Sequence, residues 1–155
     1  MDITNDANGS EIILDTEQIF KVKILDILNN TNDLKNFIMI KSSNPYCSVD
    51  FSIINTYNLL TCYVEHKQKK INSQTVDTFY IGYTKLVMVD TYYGLNTLFL
   101  VFECIDDLYF CEYDDKFLKR EKKIICGGKV IEINKNECGV GLNNLTKKII
   151  QTLML

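Results

Sequence analysis

At 155 residues, with 17 basic side chains against 20 acidic ones and a pI near 5.2, the chain is long enough to bury a core without metal or disulfide support. A net charge of -3 cannot hold a polyanion by overall field, so any contact with nucleic acid must be local. No apolar run has the length to span a bilayer, and six cysteines without a C-x-x-C pair or a hydrophobic leader predict reduced thiols and a cytoplasmic location.

Residues 1–10 are small and polar and read as a flexible N-terminal segment, leaving 11–155 as a single β-rich domain. Phe20, Val22 and Ile24 alternate with Lys21, Lys23 and Leu25 within Ile19 to Leu28, the pattern of a strand with one wet face; a helix is the weaker alternative. Asn29 to Asp33 predicts a turn, because Asn and Asp side chains satisfy nearby backbone. Phe37 to Ile40 follows as a strand, broken at Pro45. Val49 to Ile53 alternates as a strand, Asn55 to Asn58 turns, and Leu59 to Val64 is a third strand. Glu65 to Gln74 reads as a basic loop. Val76 to Val89 suits a bent strand or a pair, with a bulge at Gly82.

The most apolar stretch is Leu98 to Phe102, a strand covered on both faces, followed by an Ile-Asp-Asp turn and a half-exposed strand over Tyr109 to Tyr113. Lys116 to Lys123 predicts a helical turn or charged loop, and Ile124 to Ile133 a strand with a kink or turn at Gly127-Gly128. From Asn143 the period changes: Leu145, Ile149, Ile150 and Leu153 fall on one stripe, predicting a C-terminal helix. The fold class expected is mainly β, with antiparallel sheets in a sandwich or barrel-like arrangement and this short C-terminal helix.

Motifs for catalysis are sparse. The carboxylates from Glu103 to Asp115 fit a solvated turn and edge better than acid/base work. His66 is the only histidine, so a Ser-His-Asp or Cys-His arrangement would hang on a residue in a basic loop. Zinc needs close Cys/His pairs that the spacing lacks, and the glycine pairs do not match a phosphate-binding fingerprint. No enzyme, no metal and no cofactor are expected. Two basic clusters stand out: Lys67, Lys69 and Lys70, then Lys119, Arg120, Lys122 and Lys123, candidates for phosphate contact. Tyr63, Tyr80, Tyr83 and Tyr109 would suit base stacking on an OB-like sheet. Cys104, Cys111 and Cys126 leave open a small redox or metal protein.

Several segments together resemble the eukaryotic CXXC-motif zinc-binding protein family. Phe99 to Cys104 is similar to its apolar strand ending in Phe-Glu-Cys, Asp106 to Asp114 to the acidic and aromatic segment that follows, Val22 to Leu34 to its first strand and Asn-rich turn, and Gly128 to Asn134 with Glu137 to a segment near its end. Lys41 to Cys47 and Glu65 to Lys70 stand where the family's cysteine pairs fall, so the zinc ligands are lost. A metal-less, AT-rich member resembles the microsporidian branch, a ribosome dormancy or hibernation factor. That resemblance implies translation inhibition by occupancy near the tRNA exit site, with ribosomal proteins, the L1 stalk and rRNA as partners and a monomer when free. Lys67, Lys69, Lys70, Lys119, Arg120, Lys122 and Lys123 are then the expected rRNA contacts. The alternative is an OB-like single-stranded nucleic-acid-binding protein or an RNA polymerase small subunit.

Overall fold

Phe20, Ile24 and Leu28 recur at every fourth position and are buried, whereas Ile19 and Val22 are exposed; that is one stripe of a helix, and the segment folds as α1, Thr16–Thr31. The strand expected over Ile19 to Leu28 is therefore corrected. The period-two reading failed because Lys21 and Lys23 beside Val22 mimic alternation, while the residues that reach the core are spaced by four. The computed structural model describes residues 16–31, 37–41, 49–93 and 97–154. The predicted mobile N-terminal segment and the Pro45 break lie outside these residues. Asn29, expected in a turn, sits in the last part of α1, where its side chain accepts from the backbone N–H of Phe37.

Strands β1 (Phe37–Lys41), β2 (Phe51–Asn55) and β3 (Thr61–Gln68) form an antiparallel meander. Asn55 closes the turn between β2 and β3 by accepting from the N–H of Tyr57. β4 (Thr78–Gly82) and helix α2 (Tyr83–Tyr93) follow, where a bent strand with a bulge at Gly82 was expected. Gly82 is instead the junction, and Leu86 and Val89 are buried from the helix. β5 (Thr97–Glu103) then pairs in parallel with β3, from Cys62↔Thr97 to Gln68↔Glu103. A parallel neighbour needs a long crossover, and β4 with α2 supplies it. β6 (Leu108–Glu112), the hairpin of β7 (Lys122–Ile125) and β8 (Gly128–Asn134), the two-residue β9 (Gly139–Val140) and α3 (Leu142–Leu153) complete the described chain.

Two sheets result, ordered β1-β2-β3-β5-β6-β9 and β4-β8-β7. This is the predicted mainly β fold with its C-terminal helix, to which α1 and α2 add. β5 runs through the middle and is buried on both faces, as its unbroken apolar run requires. Phe99 and Val101 face a core shared with α1 and α3, including Leu145, Ile149 and Leu153. Leu98, Leu100 and Phe102 face a second core with β4, α2 and β8. The large sheet is thus covered by helices on one side and by the small sheet and α2 on the other. Cys126, at φ 50°, and Gly127, at φ 81°, turn the β7–β8 hairpin, since two left-handed residues match the twist of the flanking strands. Among the described residues, no helix is long and apolar enough to cross a membrane.

Candidate active site

β2 and β3 end their formal pairing at Phe51↔Val64, but the Asp50 N–H still donates to the Val64 carbonyl at 3.0 Å. Asp50 and Phe51 thus both face Val64, a bulge at the end of the ladder, and Val49 packs in the second core while Phe51 packs in the first. Phe51 and Val64 both face the core under α1, so alternation along β3 turns Glu65 to the other face, and Lys67, two residues on, joins it; the Asp50 carboxylate lies close enough to bear on the charge of Glu65. The loop expected from Glu65 is corrected here. β3 continues to Gln68 because β5 pairs with it that far, and beyond it the Lys69 N–H donates to the Glu103 carbonyl.

Glu65 is 2% exposed. From the start of α2, Lys85 brings its Nζ to 2.5 Å from Glu65 Oε2, and Lys67 Nζ lies 3.4 Å from the same oxygen. The other oxygen, Oε1, is buried with no hydrogen-bond partner among the described residues. Asp50 Oδ2 accepts from the His66 N–H at 2.6 Å, which fixes its carboxylate beside Glu65. Burial, and then the nearby charge of Asp50, push the Glu65 carboxyl up to about 7 against the pull of Lys85 and Lys67. Burial pulls Lys85 down, but its bond to Glu65 and the surrounding carboxylates leave it above its usual range. Two like charges this close, one of them buried, are unfavourable. The lysines relieve only one side of Glu65.

His66 points the other way. Its ring is 3% exposed, stacks on Phe20 at 4.2 Å and lies 2.8 Å from Glu103, so it clamps α1 to β3 and β5. Two acidic groups before β6 are structural too: Asp106 accepts from the N–H and hydroxyl of Ser73, and Asp107 accepts from the Leu108 N–H.

Of the predicted contact residues, Lys67 lies in the carboxylate site, with Lys69 half-buried and Lys70 exposed just beyond it. The second cluster is largely engaged within the fold. Arg120 bonds Glu137 and the Glu132 carbonyl and covers the Phe117 ring. Lys122 donates to the Leu118 carbonyl and lies over Tyr83, and Lys123 pairs with Glu132 at 2.7 Å. Lys119 is exposed. Tyr63, Tyr83 and Tyr109 pack against the second core and Tyr80 is exposed, so three of the four do not form an open stacking platform. Sequence reasoning missed Asp50, Glu65 and Lys85. The available signal was Val49-Asp50 and Val64-Glu65-His66-Lys67, an acidic residue following an apolar one on two consecutive strands.

No group of three or more His, Cys, Asp or Glu gathers among the described residues. The two carboxylates are nevertheless the right donor chemistry for a hard divalent cation, and the orphaned Oε1 is an acceptor with room for one more bond. A groove of about 530 Å³ lies elsewhere, lined by residues of β6 and α3 such as Phe110, Cys111, Lys147 and Gln151, and touches none of these four side chains.

No family model matches the chain, and no curated protein matches it significantly. Among solved structures, it is similar to Hjc, a Holliday junction resolvase from the archaeal hyperthermophile Archaeoglobus fulgidus, with a TM-score of 0.44 and 14% identity over 77% of this chain and 96% of that one. That neighbour is an enzyme by its title, whereas no enzyme was expected from this sequence.

Proposed function

We propose that the protein is a divalent-cation-dependent phosphodiesterase acting on nucleic acid, with its site at Asp50, Glu65, Lys67 and Lys85. The observation that carries this reading is the buried Glu65 carboxylate, near the charge of Asp50, with Oε1 unpartnered among the described residues while two lysines crowd Oε2. A magnesium- or manganese-type cation between Asp50 and Glu65 would supply Lewis-acid stabilisation of the charge that develops on a phosphate. Asp50, fixed by the His66 N–H, and Glu65 are the residues to hold it. Lys67, as an ammonium, is placed to pair with a phosphate oxygen. Lys85 holds Glu65 Oε2 in place and adds positive charge at the same face. Lys69 and Lys70 continue from β3 and extend the basic surface along which a polyanion would lie.

Incubation of the purified protein with single- and double-stranded DNA and RNA, with Mg²⁺ or Mn²⁺, tests this. Strand cleavage is expected, lost on adding EDTA and reduced at least about 100-fold, in line with removal of an essential charge-stabilising group, by Asp50→Asn, Glu65→Gln or Lys67→Ala. Cleavage that survives Asp50→Asn, or no cleavage of any of these substrates, would overturn the reading.

A second reading takes the lysines to ribosomal RNA, as the family resemblance implies. It is favoured by Lys69, Lys70 and Lys119, which have no acidic partner among the described residues. Sedimentation of extract on a sucrose gradient decides it: co-migration with intact ribosomes supports it, and a position at the top of the gradient rejects it.

A further inference from the structure

β6 and β9 are joined antiparallel at Tyr109↔Val140 and Phe110↔Gly139. The Gly141 N–H donates to the Leu108 carbonyl at 2.8 Å, so Leu108 and Gly141 are a hydrogen-bonded pair. Such pairs alternate with non-hydrogen-bonded ones, so Tyr109↔Val140 is non-hydrogen-bonded and Phe110↔Gly139 hydrogen-bonded; carried one residue past β9, the same alternation puts Cys111 opposite Cys138 as a non-hydrogen-bonded pair, for which Cα atoms are typically about 4.5 Å apart. That separation lies at the short end of the range for disulfides, about 4.4–6.8 Å. Both residues are half-buried, and Cys111 lines the groove beside α3, so a small solute can reach the pair.

We propose that Cys111 and Cys138 are an oxidation site that closes to a cross-strand disulfide in the presence of a hydroperoxide. Both side chains pack against the second core, on the same face of the ladder. The Cys138 Sγ donates to the Asn134 carbonyl at 3.7 Å, and its neighbourhood with Cys111 holds Cys138 below the ordinary thiol range and Cys111 above it. Cys138 is therefore the sulfur that reacts first, since the thiolate is the nucleophile. Its thiolate attacks one oxygen of hydrogen peroxide, the O–O bond breaks, and the departing hydroxide takes up a proton, leaving Cys138 as a sulfenic acid. The Cys111 sulfur then attacks the Cys138 sulfur; the S–O bond breaks, and the Cys111 proton leaves with the hydroxide as water. Two thiols and one peroxide give one disulfide and two waters. The other described thiols are worse placed. Burial pushes Cys62 up to about 12, aided by Glu112; burial and Asp106 raise Cys104; and Cys126 is exposed at the β7–β8 turn, on a different pair of strands.

The bond would fasten the two-residue β9 to β6. Through Gly141 it would also anchor the start of α3, whose Leu145, Ile149 and Leu153 complete the first core. The test treats the folded full chain with equimolar hydrogen peroxide, alkylates the remaining thiols and maps the peptides by mass spectrometry. A linked pair of peptides containing Cys111 and Cys138, reversed by dithiothreitol, is expected, with Tm raised by about 5–10 °C in the oxidised form. Cys111→Ser should lose the link and leave Cys138 as a sulfenic acid trappable by dimedone. Since the map is made on the native sequence, it decides the matter even if a serine variant folds poorly. Links between other cysteines, or both thiols recovered alkylated while Cys126 is oxidised, would overturn the proposal.

Discussion

Glu65 is the residue whose environment is hardest to explain as packing alone. A carboxyl that titrates near 7 when folded and near 4.5 otherwise binds its proton more tightly in the folded state. The stability it contributes is full below about 4.5 and is lost as pH rises through about 7. Thermal melts from pH 5 to 8 should show the native chain losing Tm relative to Glu65→Gln across that window. Added Mg²⁺ should recover the loss at pH 8 but not at pH 5; parallel curves for the two proteins would mean that Glu65 does not titrate there. Gly139 makes a second point at this scale. A Cβ there would stand 2.4 Å from the Phe110 ring, and Phe110 is itself buried. Gly139→Ala should cost about 1–3 kcal/mol in denaturant melts, and Phe110→Leu in the same chain should recover part of it by making room.

At the scale of elements, α1 offers a direct test of period. As a helix it buries Ile24 and leaves Val22 44% exposed, whereas a strand would put the two on one face. Ile24→Ala should cost about 2–5 kcal/mol, and Val22→Ala less than about 0.5, read from urea unfolding. β3 is the element the candidate site depends on. Its even-spaced residues Cys62, Val64 and His66 face α1, while Tyr63, Glu65 and Lys67 face the other side. One strand thus anchors the core with one face and presents charge with the other. α2 adds Lys85 only because the chain after β4 turns helical at Gly82, against the parallel β3–β5 pair.

For the whole molecule, a net charge of -3 means that the nucleic-acid affinity we propose must come from a few local phosphate contacts. If Lys67, Lys69 and Lys70 are those contacts, log affinity against log salt for duplex should have a slope of about -2 to -3. A slope twice as steep would bring in Lys119 to Lys123 in spite of their internal partners. The amino-acid pattern alone was enough for what depends on neighbouring residues: the doubly buried β5, the Asn55 and Gly127 turns, the stripe of α3 and the predominance of strands. These rest on local periodicity and turn chemistry, which need no partner. Only tertiary structure settled α1 against a strand, because its apolar stripe is read correctly once α3 and the large sheet define what is inside. Only it extended β3 past Val64, since the parallel partner β5 arrives from about 35 residues on. And only it brought Asp50, Glu65, Lys67 and Lys85 together: strand register and a crossover helix set their juxtaposition, and neither is written in the spacing of the four residues along the chain.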